Sequence, residues 1–177
     1  GITADQVTLA GFGLGMLAAV LVASGHSLLA IIPLIANRAL DGIDGALARL
    51  STASERGAFL DISLDFVFYA AIPLAFGIAV PEDNALAAAV LLAAFVVTGT
   101  SFLAFAVMAE KRGLKSVTYP SKAFYYLGGL TEGTETIACF LAMCLWPQHF
   151  VALAYFYAML CALTAATRLH AGWKAFG

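Results

Sequence analysis

Charged residues are scarce in this chain. Asp, Glu, Lys and Arg make up 11% of its 177 residues, and 62% are hydrophobic. Soluble domains carry about 25% charged residues, and a soluble fold of this length could not bury so much apolar surface. We therefore expect an integral membrane protein in contact with a lipid bilayer. There is also no run of basic residues, which argues against a nucleic-acid partner.

Cysteine and histidine are also few. The three cysteines all lie within apolar segments, which favours small buried side chains over a disulfide framework or a zinc site. The three histidines, His26, His149 and His170, fall at the ends of apolar segments. A zinc site is therefore excluded, and a general base would have to be a carboxylate or a water molecule.

Hydrophobic residues form six long segments, each near the roughly 20 residues that a membrane-spanning helix needs. Their predicted bounds are 2–24, 27–50, 57–80, 85–108, 123–145 and 150–169. In the first segment, Thr3 and Gln6 have the spacing of a helix capping box, and Gly11 and Gly15 that of a small-residue packing face. We predict an all-α integral membrane protein, a six-transmembrane-helix bundle forming one domain over residues 1–177.

Basic residues are unevenly distributed between the connections. The turns near residues 25–26, 81–84 and 147–149 contain no Lys or Arg. Eight of the nine basic residues fall on the other side of the bundle: Arg49, Arg56, Lys111, Arg112, Lys115, Lys122, Arg168 and Lys174. The positive-inside rule makes this side cytoplasmic. We therefore predict a multi-pass protein of the inner membrane with both termini in the cytoplasm.

Four aspartates lie in the second and third segments. Counted from Ala53 in the connection, Asp44 is nine residues before and Asp61 eight after, while Asp41 and Asp65 are each twelve away. The two pairs therefore lie at matched depth on antiparallel helices, each pair on one helical face. We expect the four carboxylates to converge near the cytoplasmic face.

Such a cluster needs positive charge, because one acid at the centre of a membrane helix costs about 2.5–3.5 kcal/mol and clustered acids repel each other. Arg38 and Arg49 offer part of it. One or two hard cations, Mg²⁺ or Mn²⁺, would supply the rest through oxygen ligands. Gly42, Gly45 and Gly57 leave open space beside the aspartates, and together with Arg49 they favour a phosphate-bearing ligand.

The pattern D-x-x-D-G-x-x-A-R, seven residues, then G-x-x-x-D-x-x-x-D resembles the signature of the CDP-alcohol phosphatidyltransferase family. Its fixed positions are Asp41, Asp44, Gly45, Ala48, Arg49, Gly57, Asp61 and Asp65. The six-segment layout is similar to that family over the whole chain.

The resemblance implies an enzyme of phospholipid synthesis that passes a phosphatidyl group from a CDP-linked lipid donor, usually CDP-diacylglycerol, to a small alcohol and releases CMP. It implies that the four aspartates bind one or two divalent ions and that Asp65 is the candidate catalytic base. It assigns Gly45, Ala48, Arg49 and Gly57 to the CDP pocket, and it suggests a homodimer.

The alcohol acceptor is not determined by the sequence. Glu132 and Glu135 lie three residues apart in the fifth segment, and acids within a membrane are functional candidates. With Lys122 and Arg112 they form a candidate acceptor pocket. Two alternatives stay open: the basic residues serve only as anchors on the cytoplasmic side, and the glutamates pair with Arg38, Lys122 or a neighbouring helix.

Three other functions share features of this sequence. The G-x-x-E-G sequence at residues 129–133 is similar to one in the choline and ethanolamine branch, which leaves a phosphotransferase acting on a lipid alcohol as an alternative. A divalent-cation transporter could use the same aspartates, but transporters usually show internal repeats and sites near the midplane. A catalytically silent scaffold would have no evident reason to keep four costly acids.

Overall fold

The part of the chain that the structure describes is almost entirely helical. The computed structural model describes residues 3–50, 55–113, 131 and 133–177, without the side chains of residues 44–50. Its helices are α1 (Ala4–Ala23), α2 (Ser27–Leu50), α3 (Glu55–Ala79), α4 (Pro81–Lys111), α5 (Gly133–Leu145) and α6 (Phe150–Phe176). A 3₁₀ turn, Pro147–His149, joins α5 to α6. The described residues confirm the predicted all-α class.

Four of the described helices are long and apolar enough to cross a membrane: α1, α3, α4 and α6 with its preceding 3₁₀ turn. Many of their large apolar side chains face outward, as a lipid environment requires. The first part of the predicted fifth span, residues 123–130 and 132, lies outside the described residues. The structure supports a multi-pass membrane protein, and the count of six spans and the cytoplasmic termini stay predictions.

The predicted start of the first helix is confirmed. The Thr3 hydroxyl accepts a hydrogen bond from the Gln6 amide at 3.3 Å, and the Gln6 side chain accepts one from the Thr3 amide at 3.1 Å. Gly25 makes the turn to α2 with φ of +80°, a conformation that glycine adopts without steric cost.

Two helices are longer than the apolar segments indicated. α4 begins at Pro81 rather than near residue 85, because proline is well suited to the first helical position. α6 continues to Phe176 rather than ending near residue 169. Arg168, which we expected in a cytoplasmic connection, therefore lies inside α6. It is buried and donates to the Thr98 carbonyl at 3.3 Å.

Helix α1 lies against both α2 and α3, and its two predicted packing glycines make this possible. A Cβ atom at Gly11 would lie 3.3 Å from the Leu40 Cβ of α2, and one at Gly15 would lie 2.7 Å from the Phe68 Cδ2 of α3. Real carbon contacts are about 3.5–4.0 Å. The absence of side chains at these two positions lets the three helices approach closely, which confirms the predicted packing face.

Aromatic side chains connect the remaining helices. Phe68 of α3, only 1% exposed, packs edge-on against Phe140 of α5, with ring centroids 6.0 Å apart. Phe95 of α4 lies 6.1 Å from Tyr157 of α6 in a similar arrangement. The core therefore reaches from α6 to Phe68, which lies one helical turn from Asp65.

The three turns that lack Lys and Arg lie at one end of the bundle, and Arg56 lies at the other. Gly25, Asp83 and Pro147, one from each turn without Lys or Arg, line a single cavity of about 610 Å³. At the other end, the Arg56 Nε of α3 donates to an Asp5 carboxylate oxygen of α1 at 3.1 Å. The predicted grouping of the three turns at one end is confirmed, and the aspartates lie toward the other.

Candidate active site

Three of the four predicted aspartates come together. Asp41 lies in the second half of α2, and Asp61 and Asp65 lie one turn apart in the first half of α3. One carboxylate oxygen from each lies within 4.8 Å of the others. The predicted convergence is therefore observed for these three residues. The side chain of Asp44, three positions after Asp41 on α2, lies outside the described residues.

The donor set fits a hard divalent cation. The three side chains offer only carboxylate oxygens, the ligands that Mg²⁺ and Mn²⁺ prefer. All three oxygens lie within 4.8 Å of one another, so these side chains would hold one such ion between α2 and α3.

Arg38 connects the acids of α2 and α3. Its Nη2 donates to the Asp65 Oδ1 at 3.0 Å, and its Nη1 lies 3.5 Å from the Asp41 Oδ2. The guanidinium also lies over the Phe68 ring, 5.0 Å from the centroid. The sequence indicated Arg38 as a partial counter-charge near Asp41, and the structure adds its bond to the opposite helix.

Asn37 supports Arg38 and was missed in the sequence analysis. Its Oδ1 accepts from the Arg38 Nε at 2.7 Å, and its Nδ2 donates to the Gly11 carbonyl of α1 at 2.8 Å. Asn37 is only 3% exposed. The available signal was its spacing, since Asn37, Asp41 and Asp44 follow one helical face at i, i+4 and i+7.

Helix α1 forms the third wall of the site. A cavity of about 20 Å³ lies between the carboxylates and the Thr8, Gly11 and Phe12 positions of α1. This volume is about that of one water molecule. The site is therefore small and closed on its α1 side, and larger ligands would have to reach the carboxylates from another direction.

The other motif residues are only partly described. Gly57 lies in the first turns of α3, and a Cβ atom at Gly42 of α2 would have no atom within 4 Å. Gly45, Ala48 and Arg49 lie in the last turns of α2, but their side chains are outside the described residues. Their assignment to a CDP pocket stays a prediction.

The candidate acceptor residues lie on two elements. Glu135 is exposed in the first turn of α5. Arg112 donates to the Ala175 carbonyl at 3.1 Å and to the Phe176 carbonyl, which ties it to the end of α6. Glu132 and Lys122 fall outside the described residues. Whether these four residues form an acceptor pocket therefore stays a prediction.

The start of α5 nevertheless lies near the carboxylates. A Cβ atom at Gly133 would be 3.3 Å from the Tyr69 hydroxyl. The Tyr69 ring centroid is 6.0 Å from the Arg38 Cζ. One aromatic side chain therefore separates the beginning of α5 from the guanidinium that contacts Asp65.

Two comparisons with known proteins bear on the family of this chain. The CDP-alcohol phosphatidyltransferase family model matches residues 2–169. The chain is also similar to the inner membrane protein YnjF of Escherichia coli strain K12, with 51% identity over 173 residues, or 98% of this chain and 84% of that protein. These matches support a membrane-embedded transferase over a cation transporter. The chain belongs to the CDP-alcohol phosphatidyltransferase family.

Proposed function

We propose that this protein transfers the phosphatidyl group of CDP-diacylglycerol to the hydroxyl of a small alcohol and releases CMP, with Mg²⁺ or Mn²⁺ as cofactor. The observation that carries the proposal is the convergence of Asp41, Asp61 and Asp65 within 4.8 Å, on helices that hold the family signature. Enzymes of this family generally depend on a divalent metal, and three carboxylates are a suitable donor set for one.

Asp41, Asp44, Asp61 and Asp65 would hold one or two ions. Bound metal would offset negative charge on the donor pyrophosphate and on the departing CMP. The spacing along α2 supports the inclusion of Asp44, because residues three apart share a helical face.

Asp65 is the proposed base. Its Oδ1 accepts from Arg38 at 3.0 Å, and its side chain is 30% exposed, so a ligand can approach the carboxylate. Asp65 would take the proton of the acceptor hydroxyl as the hydroxyl oxygen attacks the phosphatidyl phosphorus. The bond from this phosphorus to the CMP oxygen then breaks, and CMP leaves with the electron pair.

The donor would approach from the lipid side of α2 and α3. Ile43, Phe59 and Ile62 are large apolar side chains near the aspartates, and each is at least 44% exposed. They suit contact with acyl chains while the CDP group lies over the carboxylates. In the proposed CDP pocket, Gly45, Ala48 and Gly57 leave room, and Arg49 pairs with phosphate.

The site would face the cytoplasm, where a soluble alcohol enters and CMP leaves. The positive-inside rule supports this orientation, because Arg56, Lys111, Arg112 and Lys174 lie at the same end as the aspartates. We also propose that two copies associate as a homodimer, as the family resemblance suggests, through some of the outward apolar surface.

The acceptor pocket is proposed at the start of α5, where Glu132 and Glu135 would bind the alcohol with the help of Lys122 and Arg112. The proximity of Gly133 to Tyr69 supports this placement. Carboxylates beside an aromatic ring suit either an amine-bearing or a polyhydroxy head group, so both belong in the test.

The test is an assay of the purified chain with CDP-diacylglycerol, Mg²⁺ or Mn²⁺, and a panel of alcohols, measuring CMP and the lipid product. We expect CMP release with at least one alcohol, its loss on chelation of the metal, and a fall of at least about 100-fold in Asp61→Asn. Asp83→Asn is the matched control, because Asp83 is an exposed acid at the opposite end of the bundle.

A parallel reaction with CDP-choline or CDP-ethanolamine and diacylglycerol tests the other branch of the family. A product only in that reaction would replace the proposed donor and acceptor classes. No CMP release from either donor, in protein that is folded and supplied with metal, would contradict the proposed activity.

A further inference from the structure

Each of the three guanidinium nitrogens of Arg38 contacts a neighbouring side chain, although Arg38 is not one of the positions of the family signature. Nε donates to Asn37 at 2.7 Å, Nη2 donates to Asp65 at 3.0 Å, and Nη1 lies 3.5 Å from Asp41. Its flat face rests on the Phe68 ring, and its side chain is 18% exposed. This arrangement fixes both the position of the charge and the orientation of the planar group.

The support extends to a third helix. Asn37 also donates to the Gly11 carbonyl of α1 at 2.8 Å, so a continuous set of hydrogen bonds runs from α1 through α2 to Asp65 on α3. Phe68, on which the guanidinium lies, is almost fully buried and closely packed against α1. Arg38 therefore has little room to move away when another cation approaches the carboxylates.

Two of the proposed metal ligands are thus the two acids that Arg38 contacts. A divalent ion at Asp41 and Asp65 would lie within a few ångströms of a fixed positive charge, and the two cations repel each other. In the absence of an ion, the same charge offsets the repulsion between the carboxylates and holds them close together.

We propose that Arg38 is a positioning residue that acts as the built-in counter-cation of the metal site. It orders Asp41 and Asp65 before metal binds, and its charge weakens the binding of that metal. The inference rests on the proposed function, because it takes the aspartates as metal ligands.

The experiment measures Mn²⁺ binding to the full chain in detergent by calorimetry, with electron paramagnetic resonance of free Mn²⁺ as a second readout. Arg38→Gln removes the charge and should bind Mn²⁺ at least about fivefold more tightly than the original protein, because the cation repulsion is gone. A purely structural role predicts the opposite direction, since disordered ligands bind metal less well. Unchanged or weaker Mn²⁺ binding would overturn the proposal.

Arg38→Lys separates charge from shape. Lysine keeps the positive charge but lacks the planar fork that joins Asn37, Asp41 and Asp65. Its Mn²⁺ affinity should stay within about twofold of the original, while turnover falls at least about tenfold through loss of positioning. Turnover of Arg38→Lys equal to that of the original protein would contradict the positioning role of Arg38.

Arg56→Gln is the matched control, because Arg56 is a cation at the same end of the bundle whose side chain is 79% exposed and pairs with Asp5. Its Mn²⁺ affinity should not change, since solvent and salt screen an exposed charge. If Arg38→Gln does not fold, Arg38→Met is read by the same criterion, because its side chain can remain on the Phe68 ring. Failure of the original protein to bind Mn²⁺ would contradict the proposed metal site itself, which distinguishes that outcome from failure of this inference.

Discussion

Replacing Asn37 by leucine tests how far the site depends on the residue behind Arg38. Leucine has the same branching and the same number of side-chain heavy atoms as asparagine, so the change removes hydrogen bonds without opening a cavity. Both bonds are lost: the one donated to the Gly11 carbonyl at 2.8 Å and the one accepted from the Arg38 Nε at 2.7 Å. Asn37 is 3% exposed, so bulk water does not replace them.

The expected loss of stability follows from these two bonds. A hydrogen bond between neutral groups of membrane helices contributes about 0.6–1.7 kcal/mol. A bond from a charged donor contributes about 1.5–3 kcal/mol. Asn37→Leu should therefore lower the free energy of unfolding by about 2–5 kcal/mol. Turnover should also fall at least about tenfold, because Arg38 no longer holds Asp65 at a fixed position.

Asn84→Leu is the matched control for this change. Asn84 is also buried, and it makes one neutral hydrogen bond, to the Phe76 carbonyl at 3.0 Å, at the opposite end of the bundle. The Asn84→Leu variant should lose about 1 kcal/mol of unfolding free energy and keep the turnover of the original protein. Denaturant titration in detergent measures stability, and CMP release per folded molecule measures turnover. Equal turnover in the two variants would refute the role assigned to Asn37.

Two further changes test the packing around the site. Gly15→Ala should lower the free energy of unfolding by about 1–3 kcal/mol, because its Cβ would lie 2.7 Å from buried Phe68. A Cβ atom at Gly13 would have no atom within 4 Å, so Gly13→Ala should leave the free energy of unfolding unchanged. Equal stability of the two variants would contradict the close packing. Thr136→Val removes a buried 2.7 Å hydrogen bond with the Tyr157 hydroxyl and should cost about 1 kcal/mol in the same titration. CMP release should be unchanged, and a large loss would instead place this pair in the active site.

The convergence of the aspartates could be predicted because it depends on local information. The spacing of Asp61 and Asp65 fixes a shared helical face, and equal counts from the connection fix the depth relative to Asp41. Neither step requires knowledge of which other helices lie nearby. The family signature then gave those residues a chemical meaning that the spacing alone did not supply.

The support of Arg38 could not be predicted in this way. The bond from Asn37 to Gly11 joins residues 26 positions apart and exists only because α1 lies against both α2 and α3. Gly11 and Gly15 indicated that some helix approaches α1 closely, but a small-residue spacing does not name the partner. Contacts of this kind depend on tertiary packing rather than on helical periodicity.

Arg168 illustrates a different limit. It lies at the end of the last apolar segment, and the distribution of basic residues assigned it to a cytoplasmic connection. In the structure α6 continues past Arg168. Its guanidinium donates to the Thr98 carbonyl and lies over the Phe102 ring. A basic residue near the end of a span can therefore be part of the core when a neighbouring helix offers polar and aromatic partners.

The tight pairing of α1 with α2 has a consequence for biogenesis. α1 meets the length and hydropathy requirements of a membrane span, whereas α2 is not among the four described helices that do so. The turn through Gly25 is short, and Asn37 finds its polar partner on α1. The two helices are therefore suited to enter the bilayer as one hairpin. In that hairpin α1 would shield the side-chain amide of Asn37 from lipid during insertion.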